Sequence, residues 1–171
     1  MEWVTAEHGF GPEYDAQSNI LILGSFPSVK SREQAFYYGH PQNRFWKVLA
    51  ALARSRVPET TDEKRAFLHA HHIAVYDAIE RCTIKGSSDS SIRDVVPADI
   101  QPILDGSQIG SRIFTNGRKA GQMYKKYIFP RTGIPSRDLP STSPANAAWT
   151  LDKLIQEWEN WIDPDLLKQE L

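Results

Sequence analysis

A chain of 171 residues, 40% hydrophobic and 24% charged, is long enough to bury one substantial core and has the balance of an ordinary folded domain. A net charge of −1 argues against a uniformly cationic nucleic-acid coat, no apolar run approaches the roughly 20 residues of a membrane span, and Met1 to Phe10 lacks the basic start and apolar stretch of a secretory signal. A single cysteine, Cys82, forms no internal disulfide and no cysteine-based metal site; a reducing cytoplasm is the expected compartment.

In chain order, Asn19 to Gly24 is a short unbroken apolar run between turn formers, the pattern of a strand buried on both faces of a parallel sheet. Phe45, Val48, Leu49 and Leu52 share one face of a helix. Thr61 to His71, with Asp62 and Glu63 near its start, reads as a second helix, and Ile73 to Tyr76 as a second strand. The stretch KGSSDSSIRD, Lys85 to Asp94, is the most polar and is expected to be a surface loop leading into a helix. Arg112 to Thr115 is a third strand and Gly117 to Tyr127 a further helix. Ile134 to Leu139 is a weaker fourth strand, interrupted by Pro135 and two charges. A C-terminal helix carries the clearest apolar stripe, Ala148, Leu151, Leu154, Ile155, Trp158 and Ile162, with Pro144 in a first-turn position. Strands alternating with helices imply βαβ units and a mostly parallel sheet, in one domain spanning residues 1–171.

The charges are unevenly spread. The charged residues from Arg112 to Arg137 are all basic, among them Arg118, Lys119, Lys125 and Lys126, whereas those from Asp152 onward are mainly acidic. Such a strip either holds phosphates or forms a solvated helix face.

Three segments stand out as candidate site loops. The first, LILGSFPS, ends a strand in Gly24, Ser25, Phe26 and Pro27; ligands of open α/β sheets sit beyond such strand ends, with Gly24 letting the chain turn sharply. A tight structural turn is the simpler account, and the Gly-rich run and Lys-Ser/Thr ending of a phosphate loop are missing. The second, FYYGHPQNRFWKVL, sets Tyr38 and His40 before Asn43 at the head of a helix. Aromatics stack on flat rings and an amide reads a heterocycle edge or holds a water, but aromatics equally fill cores and Asn equally caps helices. The third, LPSTSPANAAW, leads a strand through Ser141, Thr142, Ser143, Pro144, Ala145 and Asn146 into the C-terminal helix, expected to begin near Pro144. Its hydroxyls suit either a phosphate or a turn.

Together these three segments resemble the uracil-DNA glycosylase superfamily over about Asn19 to Trp158. HPQNRFWKVL is similar to the mismatch-specific uracil/thymine branch. GSFPS, GSSDSSIRD and STSPAN are closer to the hypoxanthine-DNA glycosylase branch, family 6. The resemblance implies a three-layer α/β/α sandwich around a four-stranded parallel sheet, and a monofunctional glycosylase with no metal or cofactor. The iron–sulfur branches need several cysteines and this chain has one. The Asn that the mismatch-specific branch carries in its first motif is here Phe26, and the Asp that the classical uracil enzymes carry nearby has no counterpart, so that loop brings no carboxylate. The resemblance to the hypoxanthine branch assigns the catalytic role to Asn43.

On that resemblance, a deaminated base, hypoxanthine first and uracil or xanthine as alternatives, is flipped from DNA into a pocket walled by Gly24 to Phe26 and stacked on Tyr38. Asn43 holds the water or the base edge. Ser141 to Ser143 grip a phosphate, Ala145 and Asn146 face the base stack, and the strip from Arg118 to Lys126 tracks the backbone. A catalytically silent damage-binding protein is the competing class. A monomer is expected, with no membrane partner.

Overall fold

The structure, a computed structural model, describes residues 2–169. In chain order it runs β1 (Trp3–Glu7), β2 (Ile20–Gly24), α1 (Val29–Gln34), α2 (Phe45–Ala53), α3 (Thr61–Ala70), β3 (Ile73–Asp77), β4 (Ile79–Lys85), β5 (Arg93–Pro97), α4 (Gln101–Asp105), β6 (Ile113–Asn116), α5 (Arg118–Met123), α6 (Phe129–Thr132), β7 (Arg137–Leu139) and α7 (Leu151–Trp161).

The four expected strands form one parallel sheet in the order β3-β2-β6-β7. Alternation along β2 explains its unbroken apolar run. Ile20 and Ile22 enter a core with Phe45, Leu49, Phe67, Leu68, Leu154 and Trp158 from α2, α3 and α7. Leu21 and Leu23 enter a second core with Ile79, Ile84, Ile103, Ile109, Met123 and Tyr124. Both faces are covered, so neither can be polar. Thr60 caps α3, its side chain accepting from the Glu63 N–H, and Glu63 accepts in return from the N–H of Glu59.

Four local expectations change. The second face carries a three-stranded antiparallel sheet, β1-β4-β5, beside α4 and α5, and the sequence reading had not foreseen it. Lys85 to Asp94 leads into no helix; it closes the β4–β5 hairpin through a short turn at Asp89–Ser91. The helix expected over Gly117 to Tyr127 is not one α-helix: α5 passes into a π-helical turn at Tyr124–Ile128 and then into α6. Pro130 has no N–H for the carbonyl four residues back, which favours the wider turn there. Finally, α7 starts at Leu151, not near Pro144, because the Thr150 side chain caps it by accepting from the Lys153 N–H. Residues 141–149 are turns, bends and irregular chain, so no helix N-terminus faces an anion at Ser141 to Ser143.

Candidate active site

The carboxyl ends of β2, β3, β6 and β7 converge on a cavity of about 310 Å³, at the small end of the range for ligand sites. The segment after β2 supplies Gly24, Ser25, Phe26 and Pro27. The loop before α2 supplies Tyr38, His40 and Asn43, and the segment after β7 supplies Ser141 to Ala145. Asn146 does not line it; its amide donates to the Ser141 carbonyl. All three loops picked out in the sequence therefore meet, although they lie far apart in the chain.

Asn43 is the centre of a polar relay. Its Oδ1 accepts from the Phe45 N–H at 3.0 Å, capping the first turn of α2, and from Thr142 Oγ1 at 2.8 Å. Thr142 in turn accepts from Asn116 Nδ2 at 3.0 Å, while Asn116 Oδ1 accepts from the Thr142 N–H. Both lone pairs of Asn43 Oδ1 are thereby engaged. Its Nδ2, which no described residue engages, is the face left for the cavity. Asn43 can donate at this site and has no free oxygen with which to act as a base.

Thr142 is fully buried and spent inside this relay, which corrects its expected place in a phosphate grip. Ser141 and Ser143 Oγ accept from the N–H groups of Ser143 and Ala145, the turn-forming use of such residues. Arg44 holds the same segment from below. Its guanidinium donates to the carbonyls of Thr142, Ser143 and Asn146 at 3.3, 2.8 and 3.1 Å and to that of Trp149.

The aromatic triplet divides. Phe36 packs beside Trp46 in the core, and the buried Tyr37 donates to the Gly11 carbonyl. Tyr38, at φ 51°, lies parallel to Phe45 with ring centroids 3.7 Å apart, which commits one ring face to the core. Its hydroxyl is buried among Asn116 and Asp77 without a hydrogen-bond partner among the described residues, and burial first, then Asp77, holds it well above the usual phenol range. His40 is exposed at the cavity wall, with Nδ1 accepting from the Gln42 N–H. Phe26 lines the cavity beneath the Arg32 guanidinium.

Three further residues were not among the expected site residues, although Asp89 lies within the GSSDSSIRD stretch that carries part of the resemblance. Asn116 ends β6, and Asp77 ends β3 opposite Gly24. Asp89 reaches in from the polar hairpin and accepts from Ser25 Oγ at 2.7 Å. Burial raises the Asp89 carboxyl, partly offset by that hydrogen bond and by Lys119. The first-motif loop brings no carboxylate, as expected, but its neighbours bring two. Gly24 is not in a left-handed conformation; it is needed for space, because a Cβ there would overlap Asp77 Oδ1 and lie 3.0 Å from the Tyr38 hydroxyl. In the basic strip, Arg118, Lys125 and Lys126 are exposed, Lys119 is half-buried, and no ion pair engages them among the described residues. The described residues also contain no cluster suited to a metal and no helix long and apolar enough to cross a membrane.

A base-sized cavity at the carboxyl edge of a four-stranded parallel sheet, furnished with an aromatic wall and a fixed carboxamide, defines an α/β enzyme that handles a flat heterocycle. Residues 12–163 match the uracil DNA glycosylase superfamily, and the chain belongs to that superfamily of DNA glycosylases. It is 31% identical to a protein named hypoxanthine DNA glycosylase from Methanosarcina acetivorans, over 90% of this chain and 96% of the relative. A protein of the same name from Methanosarcina barkeri is 29% identical over 82% and 88%. A solution NMR structure of a candidate uracil DNA glycosylase from Methanosarcina acetivorans superposes with a TM-score of 0.78 at 29% identity, covering 95% of this chain and 99% of that one.

Proposed function

We propose that this chain is a monofunctional, single-domain glycosylase that excises hypoxanthine from DNA, acting as a monomer in the cytoplasmic compartment. The observation that carries the reading is Asn43: its Oδ1 is locked by two donors, leaving Nδ2 for the cavity, where it can donate to O6 or N7 of a flipped purine. The names of the two Methanosarcina relatives point to the same base.

Hydrolysis joins a water oxygen to C1′ and breaks the bond from C1′ to the base nitrogen. The products are an abasic sugar and the free base, which ends with a proton that water supplied. Negative charge grows on the departing base, so donors already aimed at it lower the barrier. Asn43 Nδ2 and N–H groups of the 24–28 loop fill that role. Ser141, Ser143 and the exposed cations Arg118, Lys125 and Lys126 are assigned to the DNA backbone, with Pro144 and Ala145 at the base stack.

Uracil and xanthine share the ring N–H beside a carbonyl that hypoxanthine offers, so Asn43 suits them too. A panel of duplexes bearing hypoxanthine, uracil, xanthine or a thymine mispair, treated with alkali after incubation, decides the order. Hypoxanthine is expected to be cut fastest, and Asn43→Ala to lose about 10²–10³-fold in rate while still folding cooperatively, with a lower melting temperature because the Phe45 N–H and the buried Thr142 hydroxyl lose their acceptor. Cleavage of uracil alone overturns the choice of base. Near wild-type turnover by Asn43→Ala overturns the role of the amide.

A further inference from the structure

Beyond the motif residues, the cavity wall includes Asp77, and a buried imidazole, His8, stands behind it. Asp77 Oδ2 lies 2.7 Å from Nε2 of His8, and both residues are almost wholly buried. His8 follows β1, whose pairing with β4 delivers it beneath the parallel sheet, and its own N–H donates to the Glu80 carbonyl. Its Nδ1 contacts the Phe10 carbonyl, an acceptor only, so Nδ1 carries a hydrogen. The contact between Nε2 and Oδ2 then needs one shared proton. Whether that proton rests on the ring or on the acid, the pair has no net charge. In both forms Oδ1 is bare. No described residue donates to it, and it lies over Gly24 in the cavity wall, where the missing Cβ leaves it room.

We propose that His8 and Asp77 form a proton-sharing pair in which Asp77 Oδ1 accepts the N1–H of the flipped 6-oxopurine while the pair as a whole stays uncharged. This rests on the reading of the chain as a hypoxanthine glycosylase and adds the residues that tell that base from adenine. Hypoxanthine offers a ring N–H beside a carbonyl; adenine offers a bare ring nitrogen beside an amino group. A bare acceptor from Asp77 and a donor from Asn43 in one cavity match the first pattern and oppose the second. The shared proton has a separate use. An uncompensated carboxylate beside a base leaving as an anion would raise the barrier, and the imidazole cancels that charge. His8 is thus a positioning residue and Asp77 a specificity residue.

Single-turnover excision of hypoxanthine and of 1-methylhypoxanthine from the same duplex tests both parts, using wild type, Asp77→Ala, Asp77→Asn, His8→Gln and the double variant His8→Gln/Asp77→Asn. Thermal melting confirms that each is folded. Wild type is expected to favour hypoxanthine by about 10²-fold or more, because the methyl group replaces the N–H that Oδ1 reads. Asp77→Ala removes the acceptor and opens space, so its preference falls below about tenfold. In Asp77→Asn the new amide donates to His8 Nε2 and keeps its oxygen toward the base, so the preference persists. His8→Gln still donates to Oδ2 but leaves the negative charge, so its rate falls about tenfold or more with affinity for DNA unchanged; adding Asp77→Asn restores the rate. An unchanged preference in Asp77→Ala, or a double variant no faster than His8→Gln, overturns the proposal while wild-type excision of hypoxanthine still stands. If Asp77→Ala does not fold, the comparison of His8→Gln with the double variant decides. Wild-type protein that excises no base overturns the proposed function and this inference with it.

Discussion

Thr142 Oγ1 donates to Asn43 Oδ1 across 2.8 Å, joining two loops 99 residues apart in the chain. This bond, with the capping N–H of Phe45, determines which end of the carboxamide meets the cavity. Thr142→Val keeps the shape but leaves Asn43 Oδ1 with one donor and strands the Asn116 amide, so the amide can turn. A stability loss of about 1–3 kcal/mol in chemical denaturation and a fall of roughly tenfold in single-turnover excision are expected. Unaltered excision would mean that Asn43 needs no such anchor.

Arg44 stands beside the catalytic candidate in sequence but works on the opposite loop, donating to four carbonyls between Thr142 and Trp149. A lysine cannot reproduce that planar fork. Arg44→Lys is expected to loosen residues 141–149, weakening binding to an abasic-site duplex by about tenfold, given about 1.5–3 kcal/mol for hydrogen bonds from a charged group. Proteolysis of that segment should quicken in parallel, and both are measurable on one preparation.

Asp89 gives a pH dependence of known sign. Burial raises its folded-state carboxyl above the ordinary 3.8, so ionising it costs the folded state more than the unfolded one. Its contribution to stability is full below that ordinary value and is lost as pH rises through the folded value. Asp89→Asn keeps an acceptor for Ser25 Oγ and removes the charge. Asp89 is nonetheless solvent-exposed as a residue, which screens part of this cost, so the variant is expected to melt slightly higher than wild type at neutral pH, with the gap closing at pH below about 4. A gap that widens on acidification would contradict the burial argument.

Cys82 lies in the second core, where burial pushes its thiol up to about 11, against the pull of Arg32. Near neutral pH only about one molecule in 10⁴ holds the reactive thiolate. Iodoacetamide is therefore expected to leave the folded protein unmodified over hours and to label it readily in denaturant; mass spectrometry reads both.

What was legible in the sequence is what short-range patterning controls. The run ILILG is a strand because alternate side chains face two cores, and Phe45 to Leu52 is a helix because its apolar positions recur on one face. The three loops with ordered turn chemistry, and Asn43 at a helix start, were visible for the same reason. The end of the helix at Tyr124–Ile128 and the late start of α7 were less so, since one proline and one threonine cap outweigh a periodic stripe.

The tertiary structure alone decided which polar atoms share a cavity. His8, Asp77, Asp89 and Asn116 are single residues in strands, strand ends or a hairpin, without any repeating spacing to mark them. They converge only because strand order sets β3 and β6 on either side of β2, and because β1 pairs with β4 to carry His8 inward. Local sterics and apolar periodicity determined the strands and helices by themselves, and the three loop motifs carried the resemblance to the superfamily. The orientation of the Asn43 amide and the charge balance around it depend on contacts between distant segments, and these exist only once the sheet has brought the strand ends together.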